Sequence, residues 1–314
     1  GWVLMRSARS KPSSTRSTWR SDSSSSTCSR SRCATLNATT GYGYYTSTAR
    51  LTPVERDVLT VLLAPEIDPA FDRGHACATP DVGLALLTWV SSTTSHRIDL
   101  QRMVAHGRRM GSLIGVDVTQ AIGLLPFDVH APEVDFTVTT SLKWMCGTPG
   151  AGIIYVSPRL TPHLHPSLRG WFSQDNPFNW DITRFAYAPD IRRFDNGTPG
   201  CMAALASLPA MDWHAAQDHG AIFAHNRRLT AQLIDMADAL ALPLVTPRDE
   251  AKRGGSVMLR LPDDLPAPQI VATLRAQGVT TDHRSQTLRL SPGIVTTETG
   301  VTKLHAALAH LTKA

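Results

Sequence analysis

Acidic residues are all but missing from the first fifty positions of the 314-residue chain, where Asp22 stands alone against 7 Arg, 1 Lys, 13 Ser and 8 Thr. The residues that follow hold 23 basic and 25 acidic side chains, so the formal charge of +5 belongs to this leader and the body is close to neutral. Phosphate backbones are gripped by an excess of lysine and arginine, and a body without that excess is not built to bind nucleic acid. The five cysteines, Cys28, Cys33, Cys77, Cys146 and Cys201, have neither a zinc spacing nor the pairing of a disulfide framework, which fits a reducing cytoplasm. No apolar run approaches the roughly 18 residues that a membrane span requires. The run from Val3 to Met5 is far too short for the core of a signal peptide. Internal repeats are missing too.

What remains is a body of about 250 residues, enough for one large core or two modest ones. Short apolar runs bounded by polar residues predict strands over 82–90, 112–118, 135–141 and 151–156, the second and third in the manner of buried parallel strands. Helices are expected over 54–63 and 99–110. Beyond 221 the pattern becomes helix 221–240, strand 256–261, helix 268–277, strand 287–290 and helix 298–311, an alternation that reads as a small α/β unit beside the first. The Ser/Thr-rich loop between 91 and 98 places Thr93 and Thr94 either against a ligand or as caps of the next helix.

In an open α/β sheet, ligands gather at the carboxyl ends of the strands, where Asp117 and Lys143 both emerge. A lysine and an aspartate on neighbouring strand ends suit pyridoxal phosphate chemistry. The amine forms a Schiff base with the cofactor's aldehyde, and the carboxylate keeps the pyridine nitrogen protonated so that the ring can take up electrons. Buried there, two opposite charges suggest a cofactor; an ordinary loop lysine and a strand-end cap are the plainer alternative.

Around this pair stand DVTQAIG at 117–123, PFDV at 126–129, VDF at 134–136, SLKW at 141–144, GTPGAGIIYV at 147–156, RGWF at 169–172, RRFDNGTP at 192–199 and TLRLSPG at 287–293. In order and spacing these segments resemble the class V aminotransferase group of fold-type I pyridoxal phosphate enzymes, and within it the kynureninase-like branch. The resemblance runs from about Val82 to the C-terminus. It implies an α/β fold, with a doubly wound, mostly parallel sheet and a smaller C-terminal α/β domain, carrying pyridoxal 5′-phosphate in a cytoplasmic enzyme that acts on a small amino acid.

The resemblance also assigns roles. Lys143 would hold the cofactor and shuttle the α-proton, with Asp117 at the ring nitrogen, Gln120 near the ring oxygen and the hydroxyls of Thr140 and Ser141 at the phosphate. Trp171, Asn196 and Thr198 match segments that reach the cofactor from a partner subunit, which implies a homodimer with a shared active site; Trp171 has simple packing as an equal alternative. Arg289 takes the place of the arginine that clamps a substrate carboxylate through its planar fork, rather than that of a surface arginine on an edge strand. Two positions depart from kynureninases: Gln120 stands where they carry histidine, and Leu142 where they carry tyrosine. The leading expectation is hydrolysis of an aryl β-keto amino acid. An aminotransferase or carbon–sulfur lyase comes second, the lyase weakened by the lack of any cysteine after Cys201. An inactive remnant serving only as a dimerising fold is the alternative from outside enzymes.

Three domains are expected: a Ser/Arg-rich segment over 1–65, a cofactor-binding large domain over 66–220 and a small domain over 221–314. The first segment reads as an organellar leader, a disordered tail or a stretch that is not the natural product. The third is favoured, because the phosphate-cupping turn and stacking aromatic that the resemblance places before Val82 are not recognisable.

Overall fold

The computed structural model describes residues 83–312, so the expected 1–65 segment, the helix over 54–63 and the start of the 82–90 strand lie outside the described residues. Two apolar cores organise the rest. Around the first, strand β1 (Leu84–Thr88) leads into helix α1 (Leu100–Met110) and strand β2 (Leu113–Asp117), then β3 (Phe136–Thr140) and β4 (Gly152–Val156). The sheet order is β1-β2-β3-β4, with β1, β2 and β3 mutually parallel. Asp99 caps α1 by accepting from the Arg102 amide at 3.0 Å, and Gly111 ends the helix in the left-handed region at φ 75°.

The run at 151–156 forms β4, but this strand is antiparallel to β3. The turn between Thr140 and Gly152 is too short for the crossover that a parallel neighbour needs. Unlike β2, it is open to water, with Ile153 47% and Ile154 43% exposed.

Buried charge ties this sheet together. Asp135, fully buried, accepts from the Ile114 amide at 2.7 Å and pairs with Arg108 of α1 at 2.6 Å and with Arg159 just beyond β4. One carboxylate thus links β2, α1 and the chain leaving β4. Its pairs and hydrogen bond offset the cost of burying it.

Helix α2 (Cys201–Ala215) had no counterpart among the expected elements. Its sequence CMAALASLPAMDWHA is apolar nearly all round and shows no polar face, so helical periodicity is invisible in it. Helix α3 (His219–Ala239) follows, capped by Asp218 through the Gly220 and Ala221 amides. Its first turn packs Ile222 and Phe223 into the first core, while Leu229, Leu233 and Ala237 enter the second.

The second core lies between α3, helix α4 (Ala267–Ala276), helix α5 (Glu298–Leu311) and an antiparallel sheet of order β5-β7-β6. Strands β5 (Val257–Arg260), β6 (Asp282–Arg284) and β7 (Thr287–Leu290) build that sheet. Strand β6 is three residues long and charged, so no period-two pattern announces it. It joins β7 through Ser285 and Gln286, with Ser285 at φ 49°, and the register sets Asp282 opposite Arg289.

Candidate functional site

The end of β3 runs into a tight turn that presents Lys143. The Cys146 amide closes it on the Lys143 carbonyl at 2.9 Å, and the Gly147 amide returns to the Ser141 carbonyl at 2.8 Å. Two side chains brace it from outside. The Trp144 indole donates to the Gln120 carbonyl at 3.1 Å, and His214 Nε2 donates to the Trp144 carbonyl at 3.1 Å. Burial pushes the His214 pKa down, only partly countered by the Trp144 carbonyl.

Gly123, at φ 89°, lets the turn after β2 approach this one. A Cβ there would lie 2.9 Å from both the Met145 nitrogen and the Trp144 carbonyl carbon, a clash with backbone that cannot yield. Gly255 plays the same part from the second unit, since a Cβ would meet Leu124 at 2.1 Å and the Trp144 ring at 2.9 Å. These close approaches leave a cavity of about 500 Å³ between the two units, within the range of small-molecule sites.

Gln120, Lys143 and Arg289 line that cavity together, so three of the expected site residues meet although they lie on separate elements. Lys143 is exposed and Asp117 half-buried, which corrects the expectation of two buried charges. Among the described residues Lys143 makes no ion pair. Asp117 Oδ1 accepts from the Thr119 amide at 2.8 Å, the strand-end cap foreseen as the plainer alternative. Lys143, without an ion pair among the described residues, lines the cavity, whereas Asp117, which leaves one carboxylate oxygen free of the Thr119 amide, is not among the residues that line it.

The expected phosphate hydroxyls fit less well. Ser141 is buried, and its Oγ lies within hydrogen-bond reach of the Thr148 and Ala151 carbonyls at 3.0 and 3.2 Å and of Ser207. Thr140 Oγ1 donates to the Ala151 carbonyl at 3.3 Å. Both hydroxyls serve the turn itself, and neither lines the cavity.

Trp171, Asn196 and Thr198 are exposed and also stand apart from the cavity lining. Trp171 packs edge-on against Phe172 and Phe178 at ring separations of 4.7 and 5.8 Å. The RGWF and FDNGTP segments are nonetheless neighbours, joined by a Ser173 hydroxyl that donates to the Asp195 carbonyl.

Arg289 has a local counter-ion that sequence reasoning missed. Its Nη2 donates to Asp282 on the adjacent strand, while its buried Nε has no partner. Burial pulls the Asp282 carboxyl up, but the His283 amide and the Arg289 and Arg284 guanidiniums together outweigh it and hold the carboxyl below its ordinary value. Asn226, His225 and Cys146 also line the cavity and were not foreseen. The signal for Asn226 was a carboxamide at a position of an amphipathic helix that the apolar stripe assigns to the core. No group of three or more His, Cys, Asp or Glu that could hold a metal occurs among the described residues, and none of the helices searched there is long and apolar enough to cross a membrane.

A family model described as aminotransferase class-V matches residues 58–303. Among curated proteins, a kynureninase of Deinococcus radiodurans is 32% identical over 212 residues, which cover 66% of this chain and 51% of that protein. An uncharacterized aminotransferase, YcbU, of Bacillus subtilis is 28% identical over 243 residues, covering 76% and 63%. The chain spans about half the length of the kynureninases it matches, 51% and 49% for two of them. A cysteine desulfurase from Thermococcus onnurineus NA1 superposes with a TM-score of 0.68 at 19% identity, covering 74% of this chain and 60% of that one. A cystine C-S lyase, C-DES, in complex with cysteine persulfide gives 0.67 at 23% identity, covering 76% and 64%. At these identities the structural likeness shows the fold alone.

Proposed function

The chain belongs to the class V aminotransferases, fold-type I enzymes whose cofactor is pyridoxal 5′-phosphate, and from that premise we propose that it acts on an amino acid by kynureninase-like hydrolysis of an aryl β-keto substrate. The observation that carries this reading is the single cavity into which Lys143, Gln120 and Arg289 are gathered from three separate segments. When bound, the cofactor supplies an electron sink for the substrate's α-carbon.

The chain's own groups do the rest. Lys143 Nζ, unpaired among the described residues, would hold the cofactor and carry the α-proton. Asp117, its carboxylate steadied by the Thr119 amide, would be the group that favours a protonated ring nitrogen. Arg289 receives the substrate's carboxylate on the part of its guanidinium that Asp282 leaves free. Trp171, Asn196 and Thr198, away from this cavity, serve the site of a partner subunit in a homodimer. The smaller partner is the amino acid.

Aminotransfer is the second reading, and Leu142 favours it. Carbon–carbon hydrolysis adds water across a bond and calls for a proton donor beside the lysine, and Leu142 brings no hydroxyl. Products separate the two: hydrolysis releases an aryl carboxylic acid and alanine, whereas aminotransfer releases a keto acid.

Borohydride reduction after loading with cofactor tests the lysine first. A covalent label on the Lys143 peptide is expected, and Lys143→Ala should lose both the label and the visible colour. A label on the peptide of Lys252 or Lys303 would overturn the assignment.

A further inference from the structure

Asn226 is 1% exposed in the second turn of α3, and its carboxamide is only half used. Its Nδ2 donates to two carbonyls, those of Gly255 and Pro292, each at 2.9 Å. Two acceptors on one side fix which end of the amide is nitrogen, because the reversed amide would set oxygen against oxygen twice. Its Oδ1 is therefore an acceptor, and it is buried without a partner. A native fold rarely leaves such an atom orphaned without a use for it.

The same residue lines the cavity shared by Lys143 and Arg289. Arg289 brings an orphan of the opposite kind, the buried Nε donor. Leu124, Trp144, Ile222, Ile294 and Val295 give much of the remaining wall an apolar character. The cavity is thus lined by a guanidinium and a carboxamide, each with one unpartnered polar atom, and by a largely apolar wall.

We infer that Asn226 is a specificity-determining residue whose Oδ1 accepts a hydrogen bond from an N–H or O–H group on the substrate's side chain. The inference rests on the reading proposed above. In that reading the α-amino group is committed to the cofactor at Lys143 and the carboxylate to Arg289, so the side chain is the part left to meet Asn226. The substrate class narrows to amino acids with an apolar, ring-sized side chain that carries a donor. A side chain of the same shape without the donor leaves Oδ1 dry and unpaired, and binding suffers accordingly.

Binding to the cofactor-loaded full 314-residue chain, read on rapid mixing as the change in the cofactor's visible absorption, tests this with three ligands. They are an aryl β-keto amino acid with a ring amine, its counterpart without the ring amine, and its counterpart without the carboxylate. Loss of the ring amine should weaken binding by about tenfold or more. In Asn226→Leu the ratio between the first two ligands should fall to about one, with the amine-free ligand bound as well as by the parent. Because the ratio is measured first on the unaltered chain, a variant that fails to fold does not decide the matter. Equal binding with and without the amine, while loss of the carboxylate still weakens it, overturns the role of Asn226 alone. Binding indifferent to both groups, or no binding, overturns the inference and the proposed function together.

Discussion

The two cores of this chain are closed to different degrees. The C-terminal unit, from α3 to α5, buries Leu229, Leu259, Leu274 and Leu288 completely and wraps its sheet with helices drawn from its own sequence. The parallel-sheet unit buries Val116 and Val134 just as completely, but it leaves Ile153 and Ile154 on β4, Met202, Leu205 and Leu208 on α2, and Trp180 and Ile182 in the segment between them facing solvent. Exposed apolar groups on this scale mark surfaces that are made to be covered. One unit carries what it needs to close itself; the other, which contributes the lysine and the aspartate, depends on contacts beyond its own described residues.

A fragment would break the comparison most sharply. Residues 219–314 alone should unfold in one cooperative transition by circular dichroism, since its core is drawn almost wholly from within it. Residues 83–215 alone should bind a hydrophobic dye and melt without a sharp transition. Cooperative melting of both would mean that the exposed faces carry no structural weight.

Single substitutions scale the difference. Leu259→Ala, at a completely buried site of the closed core, should cost about 2–5 kcal/mol in denaturant titration, whereas Ile182→Ala, 99% exposed, should fall within about 0.5 kcal/mol. In the open unit the main tie is ionic instead. Asp135→Asn leaves Arg108 and Arg159 without their buried counter-charge and should cost about 3 kcal/mol, the lower end for such pairs, because both arginines can turn toward water.

The smallest effect concerns acid. The Asp282 carboxyl is held below its ordinary value in the folded chain, so its contribution to stability is present above the unfolded carboxylate's pKa of about 4 and fades as pH falls through the folded value. Asp282→Asn should flatten that acid limb of the stability curve slightly. An unchanged limb would show that Asp282 is as well solvated folded as unfolded.

Much of this architecture was legible in the order of residues. The strands ending at Asp117 and Thr140 stood out as apolar runs, and α1, α3, α4 and α5 carried a stripe, a cap or both. Helix α2 escaped because uniform apolarity has no period, and β6 because three charged residues have none either. The meeting of Lys143 with Arg289 came from resemblance, since no local rule brings two positions so far apart in the chain together. Asn226 lay beyond reach for a related reason, since its partner Pro292 comes from across the fold, whereas Asp282 was missed because β6, too short and charged to show a pattern, hid its hairpin pairing with Arg289. The expected burial of Lys143 failed because a strand-end position says on which side a side chain emerges, not what covers it there.

The link between β6 and β7 holds a constraint on how this sequence can drift. Only Ser285 and Gln286 separate the strands, and that length sets Asp282 across from Arg289. Most substitutions in the turn would leave the pairing as it is. Insertion or deletion of one residue would not: side chains alternate along a strand, so a shift of one sends Arg289 to the opposite face from the carboxylate that now steadies it. The hairpin is therefore tolerant of spelling and intolerant of length, and a change of length there would separate Arg289 from Asp282 while leaving every residue of the cavity in place in the gene.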